Sequence, residues 1–270
     1  MASEPAIETS GLSKRYGGTT AVESLDLSIP SGAVYGFLGP NGAGKTTTME
    51  MLTTLTRPTA GTARVAGESI DRRERVVPAI GYLPEEPPLF EELTGREQLS
   101  YIAGLRDLPE PAATKRIDDL LARFDLAEDI GKRIGAYSRG MKQKTGIVQA
   151  LLHEPRVLFL DEPTSGLDPR AARVVRETIA DLTADEATIF LSTHILPVVD
   201  ELADTVGVLA DGELVAEGAP EALKRRAESD GERTLEDVFL DVTGEDAYAG
   251  APDTTNPENE GPDATRERSA

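Results

Sequence analysis

The stretch "RVLFLDEPTSGLD" at residues 156–168 decides the architecture of this chain. Its four consecutive apolar residues, 157–160, have the length of a strand that is buried on both faces of a sheet. Two acids, Asp161 and Glu162, follow this strand directly. Because an unpaired carboxylate is costly to bury, the two acids predict a positive group, or a proton to be moved, at the end of the strand.

Apolar strand patterns alternate with helical patterns on both sides of this stretch. "AVYGFLG" at 33–39, "IGYLP" at 80–84 and "ATIFLS" at 187–192 indicate further buried strands. The first thirty residues alternate more weakly, which favours antiparallel strands, and the segment from about 90 to 152 is helical in character. We therefore expect an α/β fold: a parallel-sheet core covered by helices, an N-terminal antiparallel β subdomain and a helical insert subdomain.

The composition excludes several kinds of site. The 270 residues include no Cys, so the chain has no disulfide, thiolate metal site or catalytic thiol. No apolar run approaches the roughly 18 residues that a membrane-spanning helix needs, and the N-terminus lacks the features of a signal peptide. These observations predict a soluble cytoplasmic protein.

The chain is strongly acidic, with a formal net charge of −20. This charge argues against nonspecific binding to nucleic acid, which requires a basic surface. The abundance of acids and scarcity of Lys resemble proteins of salt-loving microbes, in which concentrated salt screens self-repulsion; an ordinary acidic protein is the alternative. Residues 244–270 hold seven acids and two Arg without apolar periodicity, so we predict an acidic disordered tail there.

A second motif, "GPNGAGKTT" at 39–47, follows one predicted strand and opens a predicted helix. It matches the phosphate-loop pattern in full, whereas the alternative is a flexible Gly-rich turn. Glycines let successive N–H groups point at phosphate oxygens, and the helix N-terminus adds the positive end of its dipole. Lys45 would bridge the β- and γ-phosphates, and the Thr46 hydroxyl would hold Mg²⁺. The predicted nucleotide-binding residues of this loop are Gly39, Asn41, Gly42, Gly44, Lys45, Thr46 and Thr47.

The phosphate loop supplies a partner for the two acids. In nucleoside-triphosphate enzymes of this fold, an acid at the end of a nearby strand binds Mg²⁺, so Asp161 is predicted to lie beside Thr46. Glu162 would then lie near the γ-phosphate and polarise an attacking water. The alternative is that both acids only cap the following turn.

The stretch "YSRGMKQK" at 137–144 identifies a family. Ser138 stands where an N-cap would, before a predicted helix. A "Ser-x-Gly" helix start about twenty residues before the acidic strand resembles the signature of ATP-binding cassette (ABC) proteins. The positions that keep the pattern are Ser138, Gly140 and Gln143. Arg139 replaces its first Gly and Met141 its first Gln.

Further motifs of that family follow in order. Tyr16 stands where an aromatic residue stacks on adenine, although an ordinary packed Tyr would look the same. "IGYLPE" resembles the glutamine loop, but Glu85 takes the place of the Gln; its carboxylate could still bind Mg²⁺. Asp168, in "SGLD", resembles the loop that contacts the partner subunit, or it is an ordinary helix start. His194, in "LSTH", resembles the switch histidine that contacts the γ-phosphate; a lone His is otherwise usually a satisfied polar group.

The resemblance covers about residues 5–243, and it implies an ATP- and Mg²⁺-dependent ATPase. Two cassettes, as a homodimer or with a second ABC ATPase subunit, would pair head to tail around ATP. Ser138 and Gly140 of one would then complete the γ-phosphate site of the other. The chain is most similar to energy-coupling subunits of drug, polysaccharide or lipid exporters, which drive a permease on another chain from the inner face of the membrane. The alternative is a soluble ABC-type ATPase that acts on a macromolecular complex.

Overall fold

The computed structural model of the protein describes residues 4–184, 187–226 and 239. Within these ranges the strands are β1 (Pro5–Tyr16), β2 (Thr19–Pro30), β3 (Val34–Leu38), β4 (Ala60–Val65), β5 (Glu68–Ser69), β6 (Ile80–Leu83), β7 (Val157–Asp161), β8 (Thr188–Thr193), β9 (Thr205–Ala210) and β10 (Glu213–Gly218). The α-helices in the same ranges are α1 (Lys45–Leu52), α2 (Arg73–Val76), α3 (Gly95–Leu105), α4 (Glu110–Arg123), α5 (Arg139–Leu151), α6 (Pro169–Ala184), α7 (Leu196–Leu202) and α8 (Pro220–Arg226). The predicted tail, 244–270, lies outside the described residues.

The strands form two sheets. One has four strands in the order β2-β1-β4-β5 and is antiparallel; the other has six in the order β10-β9-β3-β8-β7-β6. In the larger sheet all neighbours are parallel except the β9–β10 hairpin. The predicted fold class is thereby confirmed, and the N-terminal antiparallel strands form a sheet of their own.

The larger sheet is the buried centre of the molecule. Every residue of β3, β7 and β8 is buried, as expected of parallel strands with both faces covered. Aromatic rings from adjacent strands pack together: the Phe190 ring stacks on Tyr35 with centroids 5.4 Å apart and lies tilted against Phe37 with centroids 5.1 Å apart. Such pairs stabilise the sheet by more than the burial of their apolar area alone.

The strand register brings the functional segments together. Leu38, at the end of β3, pairs with Thr193, and Asp161, at the end of β7, pairs with Ser192. Because parallel strands end at the same edge, the phosphate loop, the two acids and "LSTH" all leave the sheet side by side. This edge is where ligands bind in open α/β sheets.

Helices α3, α4 and α5 fill most of the segment predicted to be a helical insert, and their apolar faces share one core. Thr94 and Glu97 form a capping box before α3. Ser138 is the N-cap of α5, accepting a hydrogen bond from the backbone N–H of Met141 at 3.2 Å. No helix within the described residues is long and apolar enough to cross a membrane.

Two helix boundaries have local causes. Helix α1 ends at Leu52, and Thr54 then adopts a left-handed φ of 64° that turns the chain. Helix α7 begins at Leu196, with Pro197 in its first turn, where a missing N–H costs nothing.

Candidate functional site

The phosphate loop is held by close backbone approaches that exclude side chains. A Cβ on Gly39 would lie 2.5 Å from the carbonyl oxygen of Leu209, and one on Gly44 would lie 2.3 Å from that of Ala21. Gly44 also has a φ of 105°, which L-residues with a Cβ avoid. Gly39 is therefore required where β3 leads into the loop, and Gly44 is required where the loop turns into α1.

Lys45 lies across the mouth of this loop. Its Nζ donates to the carbonyl oxygens of Gly39, at 2.7 Å, and Pro40, at 3.2 Å, and the residue is only 7% exposed. Burial lowers the pKa of the Lys45 ammonium, and the negative charge of Glu162 is the largest effect that opposes the shift. The ammonium is thus directed into the loop, where phosphate oxygens could replace the two carbonyls.

Thr46 and Asp161 meet as predicted from the motifs. The Thr46 hydroxyl donates to Asp161 Oδ2 at 2.8 Å, and the Ser192 hydroxyl donates to Asp161 Oδ1. Asp161 and Ser192 are buried, so each carboxylate oxygen is satisfied by a hydroxyl in place of water. The Asp161 carboxylate at the end of β7 and the Thr46 hydroxyl in the first turn of α1 are a donor set that Mg²⁺ accepts.

Glu162 is held by the residues that follow β8. Its Oε2 accepts from the Thr193 hydroxyl at 3.1 Å, and its Oε1 lies 2.9 Å from His194 Nδ1. The residue is buried and has a φ of 48°, a strained conformation for a residue other than Gly. The hydrogen bond to Glu162 raises the pKa of the half-exposed His194 imidazole.

These groups line one cavity of about 340 Å³ at the edge of the sheet. Its lining consists of Ala21, Asn41, Gly42, Gly44, Lys45, Thr46, Thr47, Glu85, Asp161, Glu162 and His194. The structure thus brings together most of the residues predicted for the phosphate, metal and catalytic roles. Glu85, an exposed residue after β6, contributes negative charge that opposes the burial effect on Lys45.

Five predicted residues do not line this cavity, and one of them, Gly39, lies directly after β3 at the start of the phosphate loop. Tyr16, at the end of β1, is 49% exposed, and the Lys14 Nζ lies 4.8 Å from its ring centroid. Ser138 and Gly140 lie in the N-terminal turn of α5 and do not line the cavity of their own chain. Asp168 caps α6, with its Oδ1 accepting from the backbone N–H of Ala171 at 2.9 Å.

The sequence analysis missed several supporting groups. Ser192 and Thr193 hold the two acids, and Ala21 brings a β2 carbonyl against the phosphate loop. Two adjacent hydroxyls before His194, at the end of an apolar strand, were the available signal for the first pair. Ala21 carried no signal, because only its backbone is used.

The described residues contain no group of three or more His, Cys, Asp or Glu arranged to hold a metal by themselves. A Mg²⁺ ion at Thr46 and Asp161 would therefore need oxygens from a phosphate or from water, which is how Mg²⁺ is usually bound. A larger cavity of about 610 Å³ lies at the opposite edge of the sheet, beside Val157 and Thr188. Its lining includes two acids, Glu4 and Glu154, together with Arg116 and Arg156, and none of the phosphate-loop residues lines it.

Comparison with known proteins agrees with this geometry. The family model described as ABC transporter matches residues 22–165, more than half of the chain. The chain is 42% identical over 243 residues to the daunorubicin resistance ATP-binding protein DrrA3 of Streptomyces coeruleorubidus, covering 90% of this chain and 76% of that protein. It is 40% identical to the bacitracin transport ATP-binding protein BcrA of Bacillus licheniformis, covering 82% and 72% of the two chains.

The fold comparison gives the same result. A solved structure of an ATP-binding subunit of an ABC transporter has a TM-score of 0.81 and 32% sequence identity. The similarity covers 88% of this chain and 99% of that one. The chain is therefore similar in sequence to known ABC ATP-binding proteins and similar in fold to a solved ATP-binding subunit.

Proposed function

The chain belongs to the ABC transporter family as an ATP-binding subunit, and we propose that its ATPase activity drives a separate membrane permease that exports cargo. The observation that supports this most directly is the convergence of Lys45, Thr46, Asp161, Glu162 and His194 on one cavity. The names of its relatives point to export: daunorubicin resistance for one and Nod factor export for another. The cargo would be chosen by the permease.

Each of the residues that line the cavity would have its own role in ATP hydrolysis. Lys45 would leave its two carbonyl partners to bind phosphate oxygens, and the Thr46 and Asp161 oxygens would hold Mg²⁺, which neutralises charge that develops on the phosphates. Glu162 would accept a hydrogen bond from the attacking water. His194 would hold the Glu162 carboxylate in place through the 2.9 Å contact and reach the γ-phosphate with its exposed edge.

Two of the predicted nucleotide-binding residues lie away from the cavity of their own chain, which supports a two-chain sandwich. Ser138 and Gly140 lie at the N-terminus of α5, where free N–H groups and the helix dipole favour an anion. Since neither residue lines its own chain's cavity, we propose that they contact the nucleotide of a partner cassette. Asp168 would lie at the same interface. The partner is a second copy of this chain or a second ABC ATPase subunit.

The permease would dock where the helical insert meets the core. A groove of about 360 Å³ lies there, lined in part by Leu55, Arg73 and Leu105. Leu105 is 63% exposed, and Phe90 and Tyr101 form an exposed edge-to-face pair with ring centroids 5.8 Å apart. Exposed apolar surface of this kind marks interaction sites, so we propose that a cytoplasmic segment of the permease covers it and holds this chain at the inner face of the membrane.

The test is ATP hydrolysis by purified protein with three variants. Lys45→Ala should abolish ATP binding, because the loop loses its only buried cation. Glu162→Gln should bind Mg-ATP but hydrolyse it at least about 100-fold more slowly, a typical effect of removing a general base. The matched control is Glu177→Gln, an exposed acid on α6 that pairs with Arg173. Turnover at the wild-type rate in Glu162→Gln would overturn the assignment of Glu162.

A further inference from the structure

The N-terminal turn of α5 contacts the chain segment that follows the two acids. Arg139 Nη2 donates to the Ser165 hydroxyl at 3.3 Å. A Cβ on Gly166 would lie 2.6 Å from Arg139 Nε and 2.8 Å from its Cδ and Cζ, so the Arg side chain lies directly against the Gly backbone. Gly166 has a φ of 69°, which also favours the absence of a side chain.

A second contact joins α5 to Glu162 itself. Gln143 is buried, and its Nε2 donates to the carbonyl oxygens of Glu162 and Pro163, each at 3.4 Å. Both contacts are made by the first turns of α5, and both reach the residues immediately after β7. The α5 N-terminus and the Glu162 turn are therefore linked at two points within one chain.

The positive charge of Arg139 is unfavourable at the N-terminus of α5. A cation at a helix N-terminus is opposed by the helix dipole, and the first turn of α5 contains no acid. Nearby Lys142 is paired with Glu91 at 2.6 Å, whereas Arg139 has no carboxylate within ion-pair distance among the residues that the structure describes. The favourable interactions of the Arg139 side chain at this position are therefore its contacts with Ser165 and Gly166.

We propose that Arg139 is a positioning residue that couples the two nucleotide sites of the sandwich through a single chain. The inference rests on the proposed head-to-tail pairing, in which Ser138 and Gly140 face the partner's nucleotide while Glu162 faces the chain's own. Arg139 joins these two elements, so occupation of one site adjusts the carboxylate that acts in the other. The Arg at the position of a signature Gly then has a defined role in this chain.

The test uses dimers assembled from two differently tagged chains and purified through both tags. One chain, the silent chain, carries Glu162→Gln; the other, the active chain, keeps Glu162. Only the active chain hydrolyses its nucleotide, and that nucleotide faces the α5 N-terminus of the silent chain. Arg139→Gly is then placed in one chain at a time, and kcat is measured at saturating Mg-ATP on material whose dimer mass is verified by light scattering.

Arg139→Gly in the active chain should lower kcat by about fivefold, which corresponds to about 1 kcal/mol, the typical net contribution of one hydrogen bond that is exposed to solvent. The KM for ATP should change less, because the hydrolysing site faces an unaltered silent chain. An unchanged kcat in this arrangement would overturn the proposal. A decrease confined to dimers with Arg139→Gly in the silent chain would overturn it too, and would assign Arg139 to the partner's phosphates.

Matched variants separate positioning from loss of fold. Arg139→Lys should recover part of the rate, and Ser165→Ala should slow the active chain without adding to Arg139→Gly, since both remove the same contact. Arg173→Gly, an exposed Arg on α6, is the control and should leave kcat unchanged. Additive effects of Arg139→Gly and Ser165→Ala would contradict the coupling. If the proposed function itself failed, the parent dimer without Arg139→Gly would show no turnover.

Discussion

Replacing Ser192 by Ala tests the most buried part of the site. The Ser192 hydroxyl donates to Asp161 Oδ1, and both residues are at most 1% exposed. Removing the hydroxyl leaves that oxygen of the carboxylate without its donor, while Thr46 still donates to the other at 2.8 Å. A hydrogen bond to a charged group contributes about 1.5–3 kcal/mol, and water cannot replace it here, so Ser192→Ala should lower the free energy of unfolding by about 2 kcal/mol.

The assay is urea unfolding without nucleotide, followed by circular dichroism. With a slope of about 2 kcal/mol per M, the midpoint should fall by about 1 M. Thr53→Val is the control: it removes a buried hydroxyl bonded only to backbone carbonyls of its own helix, nearest to Met49 at 2.8 Å, and orphans no charge. If Ser192→Ala lowers the free energy of unfolding by no more than Thr53→Val, then the hydrogen bond to the Asp161 carboxylate does not contribute as argued.

Two further substitutions test the phosphate loop and the contact between His194 and Glu162. Gly44→Ala places a methyl group 2.3 Å from the Ala21 carbonyl oxygen at a φ of 105°, so urea unfolding should show that the free energy of unfolding falls by at least about 2 kcal/mol. Gly42→Ala is the control and should lower the free energy of unfolding by less, because its methyl group meets nothing within 4 Å. Equal losses for the two variants would contradict the steric argument. Because the Glu162 hydrogen bond raises the pKa of His194, the protonated pair stabilises the fold fully below about pH 6.5, and that contribution is lost as pH rises through the raised pKa. The stability difference between wild type and His194→Gln should therefore shrink with rising pH, and a difference that grew would reverse the assigned sign.

Local motifs made much of this site predictable. The phosphate loop is a continuous pattern whose strand and helix context can be recognised directly, and Asp161 and Glu162 end an unmistakable apolar strand. Their proximity to Thr46 followed because parallel strands end at the same edge of a sheet. The capping box at Thr94 is predictable because it is a local pattern: its two partners, Thr94 and Glu97, are three residues apart.

The remaining features depend on contacts between distant parts of the chain. The support of Asp161 by Ser192 requires the β7–β8 register, which no local pattern specifies. The contact between Arg139 and Gly166 joins residues on different elements, and in the sequence alone Arg139 was only a departure from a motif. The end of α1 at Leu52 depended on a single left-handed residue that has a side chain.

Glu85, like Arg139 and Met141, departs from the family pattern that the sequence resembles. It replaces a neutral Gln with a carboxylate in the cavity that also holds Asp161 and Glu162. Three acids around one Lys increase the need for a cation when the triphosphate enters. We therefore retain Glu85 as a proposed Mg²⁺ or water ligand, together with Thr46 and Asp161.

The most direct test of the central claim is the solution mass of Glu162→Gln, measured by light scattering in molar KCl with and without Mg-ATP. A slow-hydrolysing cassette that closes on nucleotide should double its 28.8 kDa mass only when Mg-ATP is present. Adding Lys45→Ala to the same chain should abolish the doubling, because the nucleotide is no longer bound. A monomer under both conditions, with ATP shown to be bound, would contradict the head-to-tail sandwich and the roles proposed for Ser138 and Gly140.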